Sequence, residues 1–149
     1  MLLGVLDIGS TAAQLQVFEV RPGAPPLPGC TVKEPTLPGE AFDADGAIDG
    51  AGIERVAAAV MRTMEAARRL GVKQLCVLTT SVVRDAANRD AVLDRLEAEA
   101  GVRPQFISGA DEGRLTYLAV RHWYGWPPDR QLVLDIGGGS MEIVSGRDG

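Results

Sequence analysis

The sequence predicts an α/β protein: a mixed five-stranded sheet with flanking helices, followed by a C-terminal β-hairpin that begins a second, similar lobe. Three observations lead there. Two apolar runs end in the same words, Leu3-Gly-Val-Leu-Asp7-Ile-Gly-Ser10 and Gln131-Leu-Val-Leu-Asp135-Ile-Gly-Gly-Gly-Ser140, and each is followed by another strand-like segment. Between them, short apolar runs alternate with stretches of helical periodicity, the pattern of a sheet carrying helices. The 149 residues are 46% hydrophobic and 23% charged, enough for one ordinary domain with a real core.

Taken in order, Leu2 to Ile8 is nearly unbroken apolar sequence, as in a central strand covered on both faces. Ala13 to Val20 begins with alternation, Ala13, Leu15 and Val17 against Gln14 and Gln16, so the two segments form a hairpin around Gly9-Ser10-Thr11. Residues 21–52 carry Pro22, Pro25, Pro26, Pro28, Pro35 and Pro38 and are expected to be loop, with one edge strand near Cys30 to Lys33. Ile53, Val56, Ala57, Val60, Met64 and Ala67 share one face of a helix that stops at Gly71.

Gln74 to Thr79 is a further buried strand, leading into the loop Thr80 to Asp85 and a helix from Asn88 to Ala100 that ends at Gly101. Val102 to Ile107 gives one more strand. Ser108-Gly-Ala-Asp111 has capping-box spacing and opens a helix through Tyr124, with Leu115, Leu118, Ala119 and His122 as its expected buried stripe. His122 is accordingly a packed imidazole, and Trp123, Tyr124 and Trp126 suggest packing where domains meet. After a turn at Gly125-Trp-Pro-Pro128 comes the second hairpin, near Gln131 to Ile136 and Met141 to Ser145. Two strands alone bury too little to be stable, so this hairpin either docks on what precedes it or belongs to a further domain; the second is favoured. The expected division is 1–126 and 127–149.

Composition excludes several function classes. A net charge of −5 argues against a nucleic-acid binder, which needs a basic face. No apolar run reaches the ~18 residues of a membrane span, and no basic leader precedes the first strand, which points away from the membrane and to the cytoplasm. Cys30 and Cys76 are far apart without a CxxC or a His partner and are expected to be reduced, structural thiols, so any metal must use oxygen ligands. The doubled motif supplies such ligands. A strand-end aspartate followed by a Gly/Ser turn suits a phosphate and its cation: amides face the anion, and the carboxylate holds the metal or its waters. Two such turns suggest one ligand gripped from both sides.

Four segments together resemble the exopolyphosphatase and guanosine pentaphosphate phosphohydrolase family, a branch of the actin-like (ribonuclease H-like) ATPase superfamily. They are Asp7-Ile-Gly-Ser10, Thr79-Thr-Ser-Val-Val-Arg84-Asp-Ala-Ala-Asn88, Ser108-Gly-Ala-Asp111-Glu112-Gly-Arg114-Leu and Asp135-Ile-Gly-Gly-Gly-Ser140-Met-Glu142. Their order covers nearly the whole chain, and Leu118 to Trp126 resembles the actinobacterial branch. The resemblance implies an actin-like lobe and Mg2+-assisted hydrolysis, by water, of the terminal phosphoanhydride of polyphosphate or of the 5′-phosphate of guanosine pentaphosphate, the stringent-response nucleotide. It leaves a homodimer open.

Phosphoryl transfer needs charge neutralisation, in-line positioning and a base for the water, and the resemblance distributes these parts. Glu112 would be the general base, although an acid in a helix's first turn also simply complements the dipole. Asp135, Glu142 and Asp7 would hold Mg2+ or orient its waters; an aspartate in a turn can equally bond nearby amides, and strand alternation could turn Glu142 to solvent. Gly9, Ser10, Thr11, Gly137, Gly138, Gly139 and Ser140 would meet the phosphates, the glycines also suiting a turn of positive φ. Arg84 would reach a phosphate or else form a surface ion pair, and Arg114, expected to be structural, is near enough to Glu112 to serve as its counter-charge.

The chain departs from the family pattern. Thr11-Ala12 stand where Asn and a hydroxyl residue are usual, Lys33 lacks the Arg that usually follows it, and Met141 replaces Thr or Leu. The resemblance also implies a protein about twice as long with the site between two lobes, so these residues alone are expected to hydrolyse weakly or not at all. Two alternatives stand beside hydrolysis: a non-catalytic polyphosphate- or nucleotide-binding relative, and an actin-like ATPase or kinase-type domain.

Overall fold

The computed structural model describes residues 1–23, 27–36, 41–124 and 130–146. Strands β1 (Leu2–Ile8), β2 (Ala12–Glu19) and β3 (Pro28–Pro35) form an antiparallel meander. Helix α1 (Gly50–Arg69) then crosses over to β4 (Gln74–Thr79), which lies parallel to β1. A single helical turn α2 (Ser81–Arg84) and helix α3 (Arg89–Ala100) lead to the short parallel strand β5 (Gln105–Phe106), completing the order β3-β2-β1-β4-β5. Helix α4 (Gly109–Tyr124) precedes a separate two-stranded sheet, β6 (Gln131–Ile136) and β7 (Met141–Gly146). The mixed five-stranded sheet and the terminal hairpin are those the sequence predicts.

Period-two alternation assigns the faces of the large sheet. Leu6, Ile8, Ala13, Leu15 and Val17 point to one side and are buried against Val56, Ala57, Val60 and Ala67 of α1 and Val92 and Leu96 of α3. Asp49 caps α1 by accepting from the Gly52 amide at 2.6 Å. Gly71 just past α1 and Gly101 at the end of α3 adopt φ of 75° and 69°, the left-handed endings that only glycine reaches without strain. Among the described residues, no helix is long and apolar enough to cross a membrane.

Several sequence expectations are corrected. The segment 80–85 contains the helical turn α2, and the strand expected over 102–107 shrinks to β5. Cys76 is exposed, so it is no buried structural thiol. The largest change concerns α4. Leu115 and Leu118 are 46% and 41% exposed, and Ala119 and His122 also face solvent, while Gly113, Tyr117 and Arg121 are buried instead. Close packing selects that face. A Cβ on Gly113 would lie 2.8 Å from Val144 Cγ2, and one on Gly146 would lie 2.6 Å from the Tyr117 ring, so two glycines bring α4 and β7 together. Thus α4 packs with the hairpin. Trp123 and Tyr124 are exposed, whereas Trp126 and the turn at 125–128 lie outside the described residues.

Candidate active site

The two Asp-Ile-Gly turns meet. A Cβ on Gly138 would fall 2.5 Å from Ser10 Oγ and 2.7 Å from Thr11 Cγ2, so the turns abut and a side chain there would part them. Each closes in the same way: the Gly9 amide donates to Ala12 O at 3.0 Å and the Gly137 amide to Ser140 O at 2.9 Å. Those two amides are consumed by the turns. Ser10, Thr11, Gly138 and Gly139 make no hydrogen bond with their amides among the described residues, which leaves these N–H groups to offer to an anion. None of the three glycines in the second turn has positive φ, so closeness to Ser10 and Thr11, and not backbone conformation, excludes a side chain at Gly138.

Buried threonines brace the first turn. Thr79, at the end of β4, donates to Ile8 O at 3.0 Å, and Thr36, just beyond β3, donates to Gly9 O at 3.0 Å. Both residues are 0% exposed. A hydroxyl in an otherwise apolar strand end is the sequence signal that would have found Thr79.

A cleft of about 250 Å³ opens beside the paired turns. Its lining includes Asp7, Gly9, Ser10, Thr11, Lys33, Glu112, Asp135, Gly137, Gly138, Ser140 and Glu142. Gln14, Thr80 and Ser81 join them, having carried no assignment from the sequence. Strand registers account for several of these. Asp7 pairs with Gln14 and Gln14 with Lys33, which puts the three in a row on the sheet face opposite α1. Asp135 pairs with Glu142 across β6–β7, so both carboxylates share a face, and that alignment turns Glu142 inward and not to solvent.

Two residues lie elsewhere. Gly139 lines an adjacent cavity with Ser10, Phe42, Val82, Asp85 and Gly138. Arg84 is not on the cleft lining. Its guanidinium forks onto Asp85 through bonds of 3.0 Å and 3.0 Å, donates to Ile107 O at 2.9 Å and reaches Glu112 at 3.4 Å. Arg84 is therefore the counter-charge of Glu112. Arg114 instead lies 3.7 Å from Asp111.

Glu112 enters the cleft from the first turn of α4. That turn is capped by Ser108, whose hydroxyl accepts from the Asp111 amide at 3.1 Å and donates to the Asp111 carboxylate at 2.8 Å, leaving Glu112 out of the cap. Burial chiefly, and then the neighbouring Glu142, raise the Glu112 carboxyl above its ordinary range; the long contact with Arg84 opposes this without reversing it, and Asp7 adds a smaller upward push. Solvent in the cleft reaches Asp7, yet the surrounding protein removes enough of its hydration that burial raises its carboxyl too. One turn beyond Glu112, Thr116 donates to Asp135 Oδ2 at 2.9 Å.

Carboxylates that repel one another at the mouth of a cleft suit a divalent cation, and all-oxygen donors suit a hard one such as Mg2+. Among the described residues no three acidic, His or Cys side chains form a complete cage. Mg2+ does not require one. It is commonly held by one or two carboxylates with waters and phosphate oxygens completing the shell, and Asp135 with Glu142, paired across β6–β7, fit that part, with Asp7 on the same cleft lining.

Comparison with known proteins gives a consistent set of relatives. The sequence profile of the Ppx/GppA phosphatase family matches residues 34–149. Exopolyphosphatase 1 of Mycobacterium tuberculosis is 43% identical over 99% of this chain and 43% of its own length, and that of Mycobacterium leprae is 41% identical over 99% and 44%. The chain thus spans less than half the length of these curated relatives. Among solved structures, an exopolyphosphatase from Cytophaga hutchinsonii superposes with a TM-score of 0.90 at 24% identity, covering 99% of this chain and 47% of the other. A Ppx/GppA family member from Aquifex aeolicus superposes with 0.83 at 26% identity, covering 99% and 47%.

Proposed function

This chain belongs to the Ppx/GppA phosphatase family, and from that premise we propose that it is the phosphate-gripping portion of a phosphoanhydride hydrolase acting on inorganic polyphosphate or guanosine pentaphosphate. The observation that carries the reading is the meeting of the two Asp-Ile-Gly turns beside a raised carboxyl, Glu112. In this proposal residues 1–126 form the first lobe and 127–149 open the second, with α4 bridging them.

The terminal phosphate lies against the Ser10, Thr11 and Gly138 amides, and Lys33 neutralises charge along the substrate. Glu112 takes a proton from a water. The water oxygen bonds to the terminal phosphorus as the bridging P–O bond breaks, and the shortened chain or nucleotide departs with that bridging oxygen. Asp7, Asp135 and Glu142 would hold Mg2+ or orient its waters, and the cation would withdraw charge from the phosphate oxygens. Arg84, locked by Asp85, keeps Glu112 oriented instead of touching phosphate.

Phosphate release from long-chain polyphosphate and from guanosine pentaphosphate with Mg2+ tests the reading, with the full gene product and its Glu112→Gln variant. Loss of a positioned base is expected to lower turnover about 10²–10⁴-fold. Release that survives the substitution removes Glu112 from the role. One observation favours the non-catalytic alternative: Lys33 is the sole basic side chain on the described cleft lining. Tight polyphosphate binding without release by the same protein would select that alternative.

A further inference from the structure

Helix α4 carries two groups one turn apart, Glu112, which lines the cleft, and Thr116, which bonds to the cleft residue Asp135, and only the first has a role in the hydrolysis described above. Thr116 is half-buried, and its hydroxyl donates to Asp135 Oδ2 at 2.9 Å, a bond spanning from α4 to the end of β6. A carboxylate at the end of a two-stranded hairpin can rotate about its side-chain torsions. A hydroxyl donor on one oxygen stops that rotation and presents the other oxygen to the cleft. The same helix is held at a set distance from the hairpin by Gly113 against Val144 and by Tyr117 against Gly146. The donor therefore arrives at Asp135 from a rigidly spaced support.

We propose that Thr116 is a positioning residue: its hydroxyl orients Asp135 toward the divalent cation that the cleft takes with its phosphate substrate. The proposal rests on Asp135 being a metal-holding residue, as under the function above. Outer-sphere partners that fix a ligating carboxylate are worth about 10–100-fold in metal affinity. The spacing Glu112 to Thr116 also ties base and metal to one rigid element, since side chains four apart on a helix stand on the same face. A shift of α4 would move both together.

The test measures Mn2+ affinity by electron paramagnetic resonance on the whole chain, in wild type and in Asp135→Asn, Thr116→Val and Thr116→Ser variants. Thr116→Val keeps the shape and removes the donor, and thermal melts verify that each variant is folded at the measuring temperature. The expected result is a weakening of Mn2+ binding by about 10-fold or more in Thr116→Val, with recovery in Thr116→Ser. If Asp135→Asn weakens binding but Thr116→Val does not, the positioning role is overturned while the metal reading stands. Weakening in Thr116→Val without recovery in a folded Thr116→Ser also overturns it, because packing and not the hydroxyl would then matter. Absence of Mn2+ binding by wild type, or binding unchanged in Asp135→Asn, overturns the metal reading and the proposal with it.

Discussion

The two hairpins share the same strand-end motif, Leu-Asp-Ile-Gly, and have opposite surroundings. In register terms Leu6 and Ile8 of β1 correspond to Leu134 and Ile136 of β6, since each pair flanks its motif aspartate. Leu6 and Ile8 are 0% exposed; Leu134 and Ile136 are 57% and 77% exposed. Their partners follow suit. Leu15, opposite Leu6, is fully buried, whereas Ile143, opposite Leu134, is 63% exposed. The first hairpin lies under α1 and beside β4, and among the described residues the second is covered on one face only, by α4. The motif therefore specifies a turn and a strand pair, while coverage comes from elsewhere in the fold.

Substitutions of equivalent residues measure that difference directly. Leu6→Ala is expected to cost about 2–5 kcal/mol, as for a buried leucine in a packed core, and Leu134→Ala less than about 0.5 kcal/mol. Urea unfolding of the two variants checks this, and equal costs would mean that the second hairpin's open face is covered in solution.

The turns themselves differ in tolerance. Gly138→Ala places a methyl group against Ser10 and Thr11, and is expected to part the lips and weaken polyphosphate binding roughly 10-fold, about 1.4 kcal/mol. A Cβ at Gly9 meets nothing closer than Ala12 O at 3.6 Å, so Gly9→Ala is expected to bind nearly as wild type. Competition of labelled polyphosphate from both variants decides it; equal losses would show that the glycines serve something other than lip contact.

The smallest effect concerns Asp7. Its folded carboxyl is raised by burial, so the folded chain holds the proton more tightly than the unfolded one. Stability from this group therefore grows as pH falls through the raised folded value toward the ordinary unfolded value of 3.8, and is lost as pH rises back through that window. Glu112, raised for the same chief reason, adds to the trend above its own unfolded value of 4.5. Asp7→Asn is expected to raise Tm at pH 7 and to flatten its pH dependence. A lower Tm in thermal melts would mean that the Asp7 carboxylate has a stabilising partner.

Much of this was legible in the residues, for local reasons. Unbroken apolar runs, the Gln14 and Gln16 alternation, the Gly71 and Gly101 endings and the Ser108 cap each leave a signature within one element. The α4 stripe misled because helical periodicity offers more than one face. Leu115, Leu118, Ala119 and His122 form a genuine stripe, but the face that packs is chosen by small residues, Gly113 and Gly146, which permit close approach and add no hydrophobic signal. The partners of Arg84 were left open for a related reason. An arginine after a strand end has several anions within reach, and Asp85, Ile107 O and Glu112 claim it in space.

By itself, the sequence determined most of the strands and the long helices, and that two aspartates stand at the ends of apolar strands, because those properties follow from backbone preference and side-chain period. Only the tertiary structure decided that the turns touch at Gly138 and Ser10, that Asp135 and Glu142 share a face, and that α4 delivers Glu112 to the cleft and Thr116 to Asp135. Those relations depend on register and on the distance of closest approach between elements far apart in the chain, and no local pattern encodes either.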